Sequence, residues 1–272
     1  MNVQEPAAAQ PVAVSLSDVC VTYAGSSGPT VAVRGMSFDV AKAEFLTLIG
    51  PSGCGKSTLL NVMAGLQACS SGSVRVGGVE VHKPLPEVIG VVFQDYTLFP
   101  WRSVLRNIEI GLEFRGVAAK ERRERAQHYL EVVGLEDFAN HLPRELSGGM
   151  KQRVAIARAL SLEPELLLMD EPFGALDEQT RMVLGEQLSG ILERSGKTIV
   201  FVTHSLAEAA YLSDRILVMT SRPGQIKAAI QVPFARPRTP ELMLGEDFNA
   251  LRNQLFSLLH DEIVAEVGVG GA

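Results

Sequence analysis

The spacing of apolar residues changes several times along the chain and divides it into elements. Val12 to Tyr23 and Val31 to Val40 alternate roughly with period two, which predicts two half-buried strands joined by the Gly/Ser-rich turn Ala24 to Pro29. Phe45 to Ile49 is a continuous apolar strand leading through glycines into a helix over Thr58 to Leu66, with Val62, Met63 and Leu66 on its packing side. Ser71 to Val81 predicts a hairpin of the same outer sheet as the first two strands, and Val88 to Phe93 the next core strand. From Ser103 to Gly134 the period is helical: Val104, Leu105, Ile108, Ile110 and Leu112 open the region, and Tyr129, Leu130 and Val133 form the inner side of a helix from Lys120 to Val133. The charge run Lys120 to Arg125 is its solvated outer face.

Four apolar residues then feed Asp170, a helix covers Val183 to Ser195, a strand runs from Lys197 to Thr203, and Arg215 to Thr220 is the last strand, broken by Arg222, Pro223 and Gly224. Gln231 to Thr239 is Pro/Arg-rich and extended, and Phe248, Leu251, Leu255, Leu258 and Leu259 repeat as in a terminal helix docked on the domain. The alternation of strands and helices predicts an α/β fold: a central, mainly parallel sheet covered by helices, an N-terminal antiparallel sheet, and an inserted helical subdomain at about residues 96–150. The expected organisation is a short disordered lead over residues 1–11, a main domain over 12–230, and an extension with its helix over 231–272.

Composition narrows the class. The 272 residues are 46% hydrophobic and 21% charged, as in folded globular proteins. A net charge of -6 gives no support to a nucleic-acid partner. The N-terminus lacks the basic start and apolar core of a secretion signal, and no window approaches the roughly 18 apolar residues of a membrane-spanning helix. Cys20, Cys54 and Cys69 have no metal-ligand spacing and read as ordinary thiols; a redox role for Cys54 would need an exposed thiolate of low pKa.

Candidate chemistry is concentrated after the strands. Gly50 to Thr58 reads G-P-S-G-C-G-K-S-T, the G-x-x-x-x-G-K-[ST] form of a phosphate-wrapping loop, in the strand, turn and helix context that the motif requires. Its glycines let backbone N–H groups turn inward on a polyanion, Lys56 supplies a point charge for the outer phosphates, and Ser57 offers a hydroxyl to Mg²⁺. Asp170, at a strand end, is a second candidate for Mg²⁺, and Glu171 beside it a candidate general base or water-positioner. An acidic pair there could otherwise be a solvated turn. His204 follows a strand at the same edge and is a candidate for γ-phosphate recognition. Ser147, Gly148 and Gly149 precede a helix and make a second place for phosphate, or simply an N-cap and turn. Tyr23 could stack on an adenine, although by itself it reads more readily as a packing or sheet-edge aromatic.

In this combination the chain resembles, over nearly its whole length, the ATP-binding subunits of ABC transporters, and most of all the importer group handling nitrate, sulfonates and taurine. Gly50 to Ser57 is similar to the family's Walker A motif, Gln94 to its Q-loop, Leu146 to Met150 to its signature motif, Asp170 and Glu171 to its Walker B aspartate and catalytic glutamate, Asp177 to its D-loop aspartate and His204 to its switch histidine. Met150 stands where the family more often has glutamine. The narrower likeness rests on Phe99, Pro100 and Trp101, on Glu208 to Arg215, on Arg222, Pro223 and Gly224, and on the C-terminal extension.

The resemblance implies ATP and Mg²⁺ as cofactors. Nucleotide would be held by Tyr23, by Gly50, Pro51, Ser52, Gly53, Cys54, Gly55, Lys56, Ser57 and Thr58, and by Ser147, Gly148, Gly149 and Asp177. Mg²⁺ would be held by Ser57, Gln94 and Asp170, with Glu171, His204 and Gln94 acting in hydrolysis. It also implies a head-to-tail homodimer on integral membrane permease subunits at the cytoplasmic face of the inner membrane, with an extracytoplasmic solute-binding protein as an indirect partner. An ABC exporter subunit, a soluble ABC-type ATPase acting on ribosomes or DNA, and a P-loop kinase of small metabolites are the competing functions.

Overall fold

The computed structural model describes residues 11–25, 28–174, 176 and 178–269; the side chains of residues 178, 191–195 and 265–269 lie outside that description. The expected lead, apart from residue 11, and Asp177 also fall outside the described residues. In chain order the elements are β1 (Val12–Tyr23), β2 (Thr30–Ala41), β3 (Phe45–Ile49), α1 (Lys56–Met63), β4 (Ser71–Val76), β5 (Val79–Glu80), β6 (Ile89–Val92), α2 (Val104–Phe114), α3 (Ala119–Val132), α4 (Gly148–Leu160), β7 (Leu166–Asp170), α5 (Glu178–Ser195), β8 (Thr198–Val202), α6 (Leu206–Leu212), β9 (Arg215–Met219), β10 (Ile226–Gln231) and α7 (Glu246–Val269).

The strands form two sheets. The antiparallel one has the order β2-β1-β4-β5, and the six-stranded one the order β10-β9-β3-β8-β7-β6. In the larger sheet β9, β3, β8, β7 and β6 run parallel and β10 is an antiparallel edge. This is the fold expected from the sequence: a phosphate-loop α/β core, an N-terminal antiparallel sheet and an inserted helical subdomain.

Period-two geometry explains why the central strands are apolar throughout. Leu46, Leu48, Leu166, Leu168, Val200, Val202, Leu217 and Met219 face a cluster shared with α1 and the antiparallel sheet. The intervening Phe45, Ile49, Leu167, Met169, Ile199, Phe201, Ile216 and Val218 face α4, α5, α6 and α7 on the other side. Each fully buried aliphatic side chain of this kind contributes about 1.5–3 kcal/mol. A third cluster joins Val104, Leu105 and Ile108 of α2 to Ala126 and Leu130 of α3 and to Val154 and Ala157 of α4. Helix α4 therefore packs on both lobe and sheet, since Ile156, Ala159 and Leu160 belong to the sheet cluster.

Some local expectations are corrected. Arg215 to Thr220 is not the last strand: the antiparallel pairing of β10 on β9 adds an edge whose residues are only half-buried, so its apolar pattern is weak. Helix α1 ends at Met63, because Gly65 turns left-handed at φ 70° and leaves Leu66 51% exposed. The charge run on α3 is not wholly solvated. Arg122 folds inward to 3.8 Å from the carboxylate of Glu109, a buried side chain also bound by Arg106 at 2.8 Å. Phe248, Leu251 and Leu255 dock α7 on the sheet as expected. The arginines of the extension are held intramolecularly: Arg236 binds Asp214 at 2.9 Å, and buried Arg238 donates to the carbonyls of Tyr211 and Ser213 at 2.7 Å each. Among the described residues, no helix is long and apolar enough to cross a membrane.

Candidate active site

The loop after β3 is shaped by its glycines. Gly53 and Gly55 adopt φ 75° and 98°, where a side chain is strained, and a Cβ on Gly55 would lie 2.6 Å from Val33 Cγ2 and 3.0 Å from the Ala32 carbonyl. Gly55 is also the N-cap of α1, with no side-chain cap on the helix, so the first N–H groups of α1 open onto the loop. Lys56 is 4% exposed, and its ammonium donates to the carbonyls of Gly50 and Pro51, both at 2.8 Å. Cys54 lies with its side chain in the core; burial pushes its thiol pKa up, with the Lys56 charge opposing, which is the reverse of a reactive thiolate.

The ends of β7 and β8 bring the acidic residues to the same place, because both strands run parallel to β3. Ser57 Oγ donates to Asp170 Oδ1 at 3.0 Å. Burial raises the Asp170 pKa above the ordinary carboxylate value, partly opposed by the Ser57 hydroxyl and helped by the neighbouring Glu171 charge. Glu171 sits at φ 44°, a conformation costing a non-glycine residue about 1–3 kcal/mol, and its N–H is anchored on the Val202 carbonyl at 2.9 Å. Its two carboxylate oxygens are claimed separately: Oε1 lies 2.5 Å from His204 Nε2, and Oε2 accepts from Gln94 Nε2 at 3.3 Å. Tyr23 reaches the helix side of the loop, where its hydroxyl bonds Thr58 Oγ1 at 3.0 Å and Gln67 Oε1 at 2.9 Å.

These groups border a cleft of about 350 Å³. Ser52, Gly53, Gly55, Lys56, Ser57 and Thr58 line it from the loop, with Tyr23, Thr30 and Ala32 from the antiparallel sheet and Glu171, His204 and Arg222 from beyond the strand ends. Gln94 and Asp170 join through their bonds to Glu171 and Ser57. Gly50, Pro51 and Cys54 do not line the cleft. Arg222 was not legible as a site residue: its turn follows β9, and only the pairing of β9 beside β3 brings it to the loop. The one signal in the sequence is a cation in a strand-breaking turn.

Ser147, Gly148 and Gly149 are elsewhere. Ser147 Oγ caps α4 by accepting the Met150 N–H at 3.3 Å, and Ser147 and Gly149 line a separate depression of about 400 Å³ with Met150, Arg153, Thr180 and Leu184.

A glycine loop between a central parallel strand and a helix, a buried lysine inside it, and a hydroxyl and carboxylates at its edge define a P-loop nucleotide hydrolase. Residues 33–174 match the ABC transporter family, and the chain belongs to it. The taurine import ATP-binding protein TauB of Rhizobium johnstonii is 44% identical over 88% of this chain and 94% of its own length. The nitrate import ATP-binding protein NrtD of Synechocystis sp. is 42% identical over 92% and 93%. A dimeric ATP-binding cassette, MJ0796, in a post-hydrolysis state bound to ADP and Pi, superposes with TM-score 0.74 at 34% identity, covering 82% of this chain and all of that one. The chain is thus an ATP-binding, ATP-hydrolysing subunit of the ABC transporter class.

Proposed function

We propose that this subunit drives import of a small anion or sulfonate-like solute, of the nitrate, taurine or alkanesulfonate kind. It acts as a head-to-tail pair held by permease subunits at the cytoplasmic face of the inner membrane, and an extracytoplasmic binding protein delivers the solute. The taurine and nitrate import relatives support the solute class, and the dimeric cassette bound to ADP and Pi supports the pairing.

The observation that carries the mechanism is the separation of the two phosphate-seeking surfaces. The loop cleft and the Ser147 to Gly149 depression have no lining residue in common, which supports the reading that one chain supplies half of each of two sites. In the pair, Lys56 and the loop of one subunit hold ATP, and Ser147, Gly148 and Gly149 of the other close over it. ATP joins the subunits because it binds the closed pair better than the open one.

The residues also fit Mg²⁺. Ser57 Oγ and Asp170 Oδ1, 3.0 Å apart, are hard oxygen donors, and Gln94, whose amide nitrogen is engaged by Glu171, keeps its carbonyl oxygen as a third. When bound, the ion offsets phosphate charge. Glu171 takes the proton of the attacking water or orients that water, while His204 and Gln94 fix its two oxygens and register the γ-phosphate. Loss of that phosphate weakens the bridge and the pair opens.

Size-exclusion chromatography of Glu171→Gln with and without ATP tests the pairing. The variant is expected to elute as a dimer with ATP; a monomer at saturating nucleotide overturns the mechanism.

A further inference from the structure

The turn between β9 and β10 is pressed onto the phosphate loop. A Cβ on Gly224 would meet the Cys54 carbonyl oxygen at 2.0 Å, and Gly224 exchanges backbone bonds with β2, donating to Ala32 at 2.8 Å and accepting from Arg34 at 3.0 Å. The turn closes on itself through the Thr220 hydroxyl, which donates to the Pro223 carbonyl and accepts from the Gln225 N–H, both at 3.0 Å. Arg222 projects from this rigid turn over the loop, with Nη2 and Nε 3.2 and 3.4 Å from the Gly53 carbonyl, and it lines the cleft. Lys56 lies buried within the loop; Arg222 is exposed at its rim.

The turn is held from behind by the C-terminal helix. Glu262 of α7 accepts the Ser221 N–H at 2.9 Å and the Ser221 hydroxyl at 3.4 Å, and its other oxygen meets Lys227 Nζ at 2.9 Å. Lys227 also donates to the Leu258 carbonyl at 2.9 Å. A connected path therefore runs from α7 through Glu262 and Ser221 to the guanidinium on the loop.

We propose that Arg222 is a second phosphate-directed cation of the nucleotide cleft, complementing Lys56, and that Glu262 is its positioning residue, so that docking of α7 sets nucleotide affinity. The inference rests on the ATP-binding reading of the cleft. A planar guanidinium grips pairs of phosphate oxygens, and the carbonyl it now bonds is a neutral acceptor that a polyanion outcompetes.

Titration of the full chain with N-methylanthraniloyl-ATP and Mg²⁺, paired with steady-state ATPase kinetics, tests it. Arg222→Ala is expected to raise Kd and KM about tenfold, with a smaller change in kcat, and to flatten the salt dependence of binding. Arg222→Lys recovers part of the loss, as a charge without the fork should. Glu262→Gln raises the same constants about threefold, and adding it to Arg222→Ala raises them no further, because the two act in series. Melting curves accompany each variant, and the Lys substitution provides the comparison should the Ala protein unfold.

An Arg222→Ala protein that binds as wild type, or a folded Arg222→Lys protein that recovers none of the loss, while Lys56→Ala fails to bind, overturns the proposal and leaves the ATP site standing. Additive losses in the double variant overturn the positioning role of Glu262. Normal binding by Lys56→Ala overturns the ATP reading itself.

Discussion

The loop cleft and the Ser147 to Gly149 depression both present backbone N–H groups at the start of a helix, yet they are built differently. At the cleft, strands β3, β7 and β8 converge, and side chains interlock: Lys56 with two loop carbonyls, Ser57 with Asp170, and Glu171 with both Gln94 and His204. At the depression the Ser147 hydroxyl is engaged in capping α4, Gly148 and Gly149 follow it, and Met150, Arg153, Thr180 and Leu184 supply the rest of the surface around Ser147 and Gly149. The first surface can hold and polarise a phosphate by itself. The second has the start of α4 and, among its described lining residues, no carboxylate, which suits a surface that completes a site on another copy.

Substitutions can break this contrast, and the largest effect is expected at Glu171. Glu171→Gln should lower ATP turnover by about 10²- to 10⁴-fold while keeping nucleotide binding, since a general base contributes on that scale; phosphate release and analogue binding measure the two. Next, a matched pair separates the surfaces. Lys56→Ala should weaken ATP binding about a hundredfold, because the partner of a buried charge is removed. Ser147→Arg should leave binding to the monomer intact and reduce turnover by about the same factor, through the steric cost of a long side chain at the contact. Unchanged ATPase activity in Ser147→Arg removes the depression from the site.

A pH effect follows from Asp170. Its pKa is raised by burial, so the native state binds more protons than the unfolded chain between the ordinary and the raised value. Its contribution to stability is therefore most favourable below the ordinary pKa and falls as pH rises through the raised one. In chelator at neutral pH, Asp170→Asn should melt higher than wild type while losing Mg²⁺-supported turnover. An equal or lower melting temperature contradicts the burial argument. The smallest effect is at the cap: Ser147→Ala should cost about 1 kcal/mol of stability in urea unfolding. If its turnover falls no more than its stability explains, the hydroxyl serves α4 alone.

Much of this was legible in one dimension, and the reason is local. The phosphate loop needs glycine at Gly53 and Gly55 because their φ values are positive, and such a requirement is written at fixed spacing. The central strands needed only their apolar runs. Weaker signals failed where long-range contacts decided the outcome. Leu66 follows the helical spacing, but the left-handed Gly65 had already ended the helix. Arg122 sits in a charge run that reads as solvated, until Glu109 from α2 draws it inward. Strand β10 has little period of its own and exists because β9 offers an edge.

The sequence by itself determined the phosphate loop, the order of strands and helices, and the set of polar residues that follow the strands, because glycine geometry and apolar period act over a few neighbouring residues. Only the tertiary structure decided which of those residues meet. The parallel order of β9, β3, β8 and β7 puts Lys56, Asp170, Glu171 and His204 at one edge, sends Ser147 to another surface, and carries Arg222, tethered through Ser221 and Glu262 to the end of the chain, onto the loop. Strand pairing across more than a hundred residues joins groups that have no spacing in common, so local pattern names Asp170, Glu171 and His204 as candidates but does not give their contacts or bring in Arg222.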